Sequence, residues 1–144
     1  MTHNRLTKYE SWIIEILNRV DSGLTVEDAR VELKCEWPDP DKAARRIAAH
    51  ANSSFGGEIL WIVGVDEKTG VVGCEPNDLA SWWPQVQSQF DGVSPDVVDL
   101  VVGFSGESIT GLIFGTNRPP YVVKNPVFGS IGGGAVSHLS LIHI

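Results

Sequence analysis

The stretch that decides the fold is "AAHANSSFGGEILWIVGVDEKTGVVG", residues 48–73. In it, Gly56 and Gly57 separate an alanine-rich segment from the apolar run "EILWIVGVD", which ends on Asp66. Glycines at such a junction favour the end of a helix, and the apolar run has the length and composition of a strand buried on both faces. A carboxylate at the end of a buried strand either forms a turn or belongs to a site, so both interpretations of Asp66 stay open.

The first third of the chain predicts two helices. "YESWIIEILNRVDSG" carries apolar residues at helical spacing, which indicates an amphipathic helix that ends at Gly23. In "PDPDKAARRIAAHANSSF", an acid in the N-cap position precedes Pro40, a residue favoured in the first helical position, and the double glycine stops the helix. On this second helix Lys42, Arg46 and His50 fall four residues apart, so they form one polar, partly basic stripe.

Between these helices, "ARVELKCEW" alternates apolar and charged residues. This period of two is typical of a strand with one buried face, and it places Glu32 and Lys34 together on the other face. Cys35 falls on the buried face. In a reducing compartment we expect both Cys35 and Cys74 to be small buried side chains rather than a disulfide.

Downstream of the opening stretch, the chain alternates turn signals and apolar runs. "DEKTG" predicts a hairpin turn, and "PNDLASWWPQVQSQF" predicts a helix that Pro84 breaks. "PDVVDLVVGF", "SITGLIFGT" and "PYVVK" predict three strands, the first two joined through "SGES". The order αβαββαβββ predicts a single α+β domain in which a mixed, largely antiparallel sheet packs with about three helices.

Composition is that of a globular chain, with 42% hydrophobic residues in 144 and a mean hydropathy of zero. No apolar run approaches the ~20 residues of a membrane span, and the N-terminus lacks a signal-peptide core, so we expect a cytoplasmic protein without a membrane partner. The net charge of −7 argues against coating nucleic acid by bulk electrostatics. Eight of the eleven Lys and Arg residues lie in residues 1–50, which is where a phosphate-facing surface would have to form.

Three segments carry a likeness to a known family: "VELKCEWP", "IAAHANSSFGGEILWIVGVDEKTGVVG" and "PPYVV". Together they resemble the Schlafen AlbA-type domain, usually described as DNA-binding and related to the ribonuclease core of the Schlafens. The most specific part is the ordered set Ala51-Asn52, Gly56-Gly57 and Gly64-Val65-Asp66. The resemblance runs from about Val26 to Phe128. With the amphipathic helix that precedes it and the three consecutive glycines that follow it, the domain organisation is an N-terminal helix in residues 1–22, an AlbA-like domain in 23–128, and a glycine-rich tail in 129–144 that looks truncated or non-native.

The resemblance also implies an acidic metal site. In the Schlafen ribonucleases two glutamates around the start of the Glu-hydrophobic-Lys strand and an aspartate after the Gly-Val strand bind metal; Glu27, Glu32 and Asp66 match them. The implied cation is Mg²⁺ or Mn²⁺, no organic cofactor is expected, and Lys34 would stabilise charge on a phosphate. Spacing alone leaves the alternative that Glu27 is solvated, that Glu32 and Lys34 form ion pairs, and that Asp66 begins a turn.

The basic side chains of the second helix, Lys42, Arg45, Arg46 and His50, are either a solvated helix face or a surface that contacts phosphates. The second interpretation agrees with the family resemblance, which implies nucleic acid as the partner. We expect such contacts to position RNA or DNA rather than to read its sequence.

Three other polar or aromatic residues need an interpretation. Trp82 and Trp83 are adjacent on a predicted helix, so both cannot point inward; we expect at least one in the core and the other as a base-stacking or partner contact. Asn52, close to a helix end, is expected to bond backbone at the turn.

The sequence therefore predicts a nucleic-acid-binding domain of Schlafen AlbA type, acting as the N-terminal module of a longer regulatory protein with a C-terminal domain beyond this chain. A metal-dependent endoribonuclease with a Glu/Glu/Asp site is the alternative. A non-catalytic regulatory or dimerisation module is a third. Besides nucleic acid, a second copy of the chain, in a homodimer, is a candidate partner.

Overall fold

The computed structural model describes residues 2–75, 79–124 and 141–143. Its elements, in chain order, are α1 (Thr2–Asp21), β1 (Val31–Lys34), α2 (Pro40–Asn52), β2 (Glu58–Val63), β3 (Val65–Asp66), β4 (Gly70–Val71), α3 (Leu79–Gln87), β5 (Asp96–Phe104), β6 (Glu107–Gly115), β7 (Val122–Lys124) and β8 (Leu141–His143). The prediction of a single α+β domain with a mixed, largely antiparallel sheet is confirmed. Across these described residues, no helix is both long enough and apolar enough to span a membrane.

The main sheet has four strands in the order β1-β2-β6-β5. Strands β1 and β2 run parallel, with Glu32 opposite Trp61 and Lys34 opposite Val63. Strands β5 and β6 are joined by the two residues Ser105 and Gly106, both at positive φ, as a tight hairpin requires. Two short antiparallel pairs, β3 with β4 and β7 with β8, complete the sheets.

The chain forms two compact units, each made of three segments. Unit 1 comprises Met1–Trp37, Ile59–Asn77 and Val97–Phe114, and unit 2 comprises Pro38–Glu58, Asp78–Asp96 and Gly115–Ile144.

In unit 1 the apolar face of α1 packs against the sheet. The buried cluster draws side chains from α1, β2, β3, β5 and β6: Tyr9, Ile13, Ile16, Leu17, Leu60, Ile62, Val65, Val102, Ile109 and Ile113. All side chains of β2 after Glu58 are buried, as a strand covered on both faces requires. α1 ends with Gly23 at φ 76°, where the N–H of Leu24 reaches the carbonyl of Arg19, which confirms the predicted helix end.

Unit 2 is built around the alanine-rich face of α2, which packs against α3 and β7. Five of its residues are at most 1% exposed: Ala43, Ala44, Ile47, Ala48 and Ala51. The small alanines let neighbouring backbone approach closely. Trp82 of α3 is buried and its indole N–H donates to the carbonyl of Pro38 at 3.0 Å.

Several expectations about local structure were wrong. Cys35 is exposed, because β1 ends at Lys34 and the alternation stops there. α3 continues through Pro84 instead of breaking, since Trp82 and Val86 on either side of the proline anchor its buried face. In the tail, residues 129–140 and 144 lie outside the described residues, but Leu141–His143 form β8, a strand the sequence pattern did not indicate.

α2 also ends earlier than the double glycine predicted, at Asn52. The hydroxyls of Ser53 and Ser54 lie 2.9 Å and 2.8 Å from the carbonyls of His50 and Ala51 and so compete with the helical bonding pattern. Phe55 and Gly56 then take positive φ angles of 57° and 85°. The chain reverses at these two residues, and glycine is needed at 56 rather than at 57.

Candidate functional site

The outward face of α2 carries four of the predicted site residues. Lys42 and Arg46 are exposed, and Arg45 and His50 are partly exposed, on the side of the helix away from its buried alanines. At a rise of about 1.5 Å per residue, side chains four positions apart are separated by about 6 Å along the axis. The predicted basic stripe is therefore an accessible row along the helix, with Asp41 as the one acid that α2 contains.

Charge is unevenly divided between the two units. The residue ranges of unit 1 contain six Lys and Arg against twelve Asp and Glu, whereas those of unit 2 contain five against six. The acidic excess of the chain thus belongs almost entirely to unit 1. α2 lies in the unit whose charges nearly balance.

Asn52, the last residue of α2, fixes the start of β7. Its side-chain N–H donates to the carbonyl of Tyr121 at 2.9 Å, and its side-chain oxygen accepts the N–H of Tyr121 at 2.7 Å. The Tyr121 hydroxyl in turn accepts the backbone N–H of Arg118 at 2.9 Å. Asn52 therefore has the structural role that was expected, but it bonds a segment 69 residues away instead of the local turn.

This arrangement adds one cation that sequence reasoning missed. Arg118 is exposed and lies in the turn that Asn52 and Tyr121 hold at the C-terminal end of α2. Nothing in the local sequence links residue 118 to α2. The signal that could have found it is the family resemblance, which includes both Ala51-Asn52 and the "PPYVV" segment that directly follows Arg118.

Glu32 and Lys34 lie side by side on β1. Their side chains form an ion pair at 3.2 Å and are 17% and 30% exposed respectively. The Lys34 ammonium also lies 5.5 Å from the ring centre of the buried Trp61, a distance at which a cation is attracted to the aromatic face. The structure thus brings these two predicted site residues together as partners of each other.

Asp66 forms a turn. Its carboxylate accepts the backbone N–H groups of Lys68 at 2.8 Å and Thr69 at 3.1 Å, at the start of the hairpin between β3 and β4. These hydrogen bonds, that from Lys68 first, stabilise the charged form and lower the pKa of Asp66 below its ordinary value. The acid at the end of this buried strand therefore stabilises the turn that follows it.

Glu27 is exposed in the loop before β1. Its neighbour Asp28 holds Arg30 through two side-chain hydrogen bonds, at 2.8 Å and 3.1 Å, and Arg30 lies 4.8 Å over the ring of Trp12. The hydrogen bond to Asp28 raises the pKa of Arg30 above its ordinary value. The acid Asp28, next to Glu27, is therefore paired with an exposed arginine.

The three carboxylates implied as metal ligands do not converge on one site. Among the residues that the structure describes, no group of three or more His, Cys, Asp or Glu side chains is placed to hold a metal ion. Glu27, Glu32 and Asp66 all belong to that described part, so in this arrangement the donor set does not fit a divalent cation. Within the implied acidic site, Glu32 and Lys34 contact each other.

One of the two adjacent tryptophans lies in the core, as expected. Trp82 is buried at 4% exposure, which confirms that at least one packs in the core, and Trp83 is partly buried with its ring centre 6.2 Å from that of Trp82. The fully presented aromatic is instead Phe55, which is 98% exposed. Its spacing of four from the buried Ala51 would place it on the buried face of a longer helix, which is why the sequence pattern conceals it.

Comparison with known proteins gives information about the fold alone. No protein-family model matches the chain, and no curated protein matches it either. Among solved structures it is similar to the DIP2311 protein from Corynebacterium diphtheriae, with 22% sequence identity and a TM-score of 0.55. The likeness covers 96% of this chain and 27% of that one. At this identity the match indicates a shared fold alone.

Proposed function

We propose that this chain is a nucleic-acid-binding domain of Schlafen AlbA type and that α2 supplies its phosphate-contacting surface. The observation that carries the proposal is the accessible row of cations on α2, above a face of the same helix that is fully buried. The buried face fixes the helix, so the cations project from a rigid element. Contacts of this kind position RNA or DNA without reading its sequence.

The net charge of −7 does not oppose this assignment. Charges act on a phosphate over about 8 Å at physiological ionic strength, so the local sign decides binding more than the sum over the chain. Six of the seven excess negative charges belong to the residue ranges of unit 1. Unit 2, which contains α2, is close to neutral and also contains the exposed Arg118 and Lys124.

The alternative of a metal-dependent endoribonuclease has less support. Such a reaction needs carboxylates that converge on a cation, and Glu27, Glu32 and Asp66 form no such group. Lys34 is engaged with Glu32, and Asp66 with the backbone of its own turn. The geometry of the described residues therefore favours binding.

The proposal is tested with two charge-matched double variants. Lys42→Ala with Arg46→Ala removes two cations of α2, and Lys8→Ala with Lys68→Ala removes two exposed cations of unit 1. Fluorescence anisotropy with a labelled single-stranded oligonucleotide of mixed sequence gives the affinity between about 50 and 200 mM salt.

We expect the α2 variant to bind more weakly and the slope of log K against log salt to flatten by about 1.4, since each lost phosphate contact on a single strand contributes about 0.7. The unit 1 variant should bind as the parent protein does. Absence of binding by the parent at low salt, or equal losses in both double variants, would show that α2 is not a phosphate-contacting surface.

A further inference from the structure

Phe55 is presented to solvent almost completely. It is 98% exposed, and no other described aromatic side chain is as accessible. Transfer of a phenylalanine ring from water to an apolar partner is favourable, so a ring in full contact with water is available to a ligand that can cover it.

The backbone that presents this ring is held on both sides. Before it, the Ser54 hydroxyl lies 2.8 Å from the carbonyl of Ala51 and 2.5 Å from the hydroxyl of Thr116. After it, the carbonyl of Gly57 accepts the hydroxyl of Thr116, and the N–H of Gly57 donates to the carbonyl of Ser54 at 3.3 Å. Phe55 itself takes φ 57°, a conformation that non-glycine residues seldom adopt. The ring therefore projects from an anchored loop.

The surroundings of Phe55 favour a nucleic acid over a protein partner. Protein interfaces use contiguous apolar patches, whereas the neighbours of Phe55 in the chain are Ser53, Ser54, Gly56 and Gly57. The loop follows directly from α2, whose cations Lys42 and Arg46 lie about 6 Å apart along the axis. An aromatic platform beside a row of cations is the arrangement by which proteins bind single strands, because bases stack on the ring while phosphates meet the charges.

We infer that Phe55 is a base-stacking residue and that the surface formed by α2 and the loop 53–57 takes single-stranded rather than double-stranded nucleic acid. This inference rests on the proposed function, which it narrows to one class of ligand. In a duplex the faces of the bases are covered by their neighbours, so the ring has no stacking partner there.

The test combines protein variants with oligonucleotides that differ in their bases. Phe55→Ala, Phe55→Leu and Phe55→Trp are compared with the parent on a labelled single strand, on its duplex, and on a strand of equal length whose sugars carry no bases. Leu24→Ala serves as the control, because Leu24 is an apolar side chain 54% exposed in unit 1. Phe55→Ala opens no cavity, since the ring is exposed.

We expect Phe55→Ala to weaken binding to the single strand by about 5- to 150-fold, the range for loss of one stacked base. Phe55→Leu should lose nearly as much, Phe55→Trp should retain the parent affinity, and Leu24→Ala should change nothing. On the duplex and on the base-free strand, Phe55→Ala and the parent should bind equally, because only phosphates remain to be contacted.

The two proposals fail in different ways. If the parent binds with the expected salt dependence but Phe55→Ala binds the single strand equally well, the stacking inference is wrong and the proposed function stands. An equal loss on base-containing and base-free strands, or full affinity of Phe55→Leu, would also overturn stacking. If the parent binds none of the three oligonucleotides, the proposed function is wrong and the inference falls with it.

Discussion

Asn52→Ala should lower the free energy of unfolding by about 2–4 kcal/mol. The substitution removes two hydrogen bonds to the backbone of Tyr121, at 2.9 Å and 2.7 Å, and each contributes about 1 kcal/mol net. Tyr121 is 1% exposed, so its N–H and C=O would be left without those partners in a buried environment, at about 1–3 kcal/mol each unless water enters. Two bonds lost at about 1 kcal/mol each give the lower bound of about 2 kcal/mol, and two groups stranded at about 2 kcal/mol each, the middle of their range, give the upper bound of about 4 kcal/mol.

Urea unfolding at 25 °C, followed by circular dichroism, measures this loss. In thermal unfolding the same change should lower the Tm by roughly 8–16 °C, at about 4 °C per kcal/mol for a chain of this length. Asn52→Asp keeps an acceptor for the N–H of Tyr121 but turns an oxygen toward its carbonyl, so it should also destabilise at neutral pH.

Ser53→Ala is the matched control, because its hydroxyl makes an exposed bond at the same helix end. It should stay within about 0.5 kcal/mol of the parent. If Asn52→Ala proved as stable as Ser53→Ala, the bonds to Tyr121 would not hold β7 to α2, and the placement of Arg118 beside that helix would lose its basis.

Three further predictions concern the turns. Gly64→Ala should destabilise by about 3 kcal/mol or more in urea unfolding, since Gly64 has φ 116° and a Cβ there would meet the Cδ1 of Ile109 at 2.9 Å; parent-like stability would contradict that close approach. The pKa of Asp66 is lowered in the folded state, so its stabilising effect is present above the unfolded pKa of about 3.9 and is lost as the pH falls through the folded value. Asp66→Asn should therefore reduce the pH dependence of the free energy of unfolding in that acidic range. An unchanged pH dependence would show that the hydrogen bonds of the turn do not favour the charged carboxylate. Phe55→Gly should stabilise by about 0.5–1 kcal/mol, because relief of left-handed strain, roughly 1–2 kcal/mol, exceeds the roughly 0.5–1 kcal/mol entropy cost of glycine. A lower stability for that variant would mean that the ring makes a stabilising contact.

The fold class could be predicted because local patterns and packing agree in this chain. The period of α1, the continuous apolar run of β2 and the "DEKTG" hairpin each specify an element without reference to distant residues. Where one neighbour in the sequence decided the outcome, as with Gly23 at the end of α1, the prediction was confirmed.

The candidate site was harder to predict because distant partners decide its geometry. The partner of Asn52 lies 69 residues away, and no periodicity points to it. The end of α2 depended on two serine hydroxyls that compete with the helix, and a shift of three residues moved Phe55 from an expected helix to an exposed loop. For Glu32 and Lys34, spacing placed both on one face correctly, but an ion pair and a catalytic pair have the same spacing.

The alternation of the chain between the two units limits how this protein can be divided. Each unit is made of three segments that are separated in the sequence, so a cut between any two consecutive segments leaves at least one unit incomplete. Removal of residues 115–144, for example, would take away Tyr121 and with it the partner of Asn52. Because α2 packs against α3 and β7, which follow it at long sequence separation, we expect slow, cooperative folding, and isolated fragments are unsuitable for studying the cations of α2.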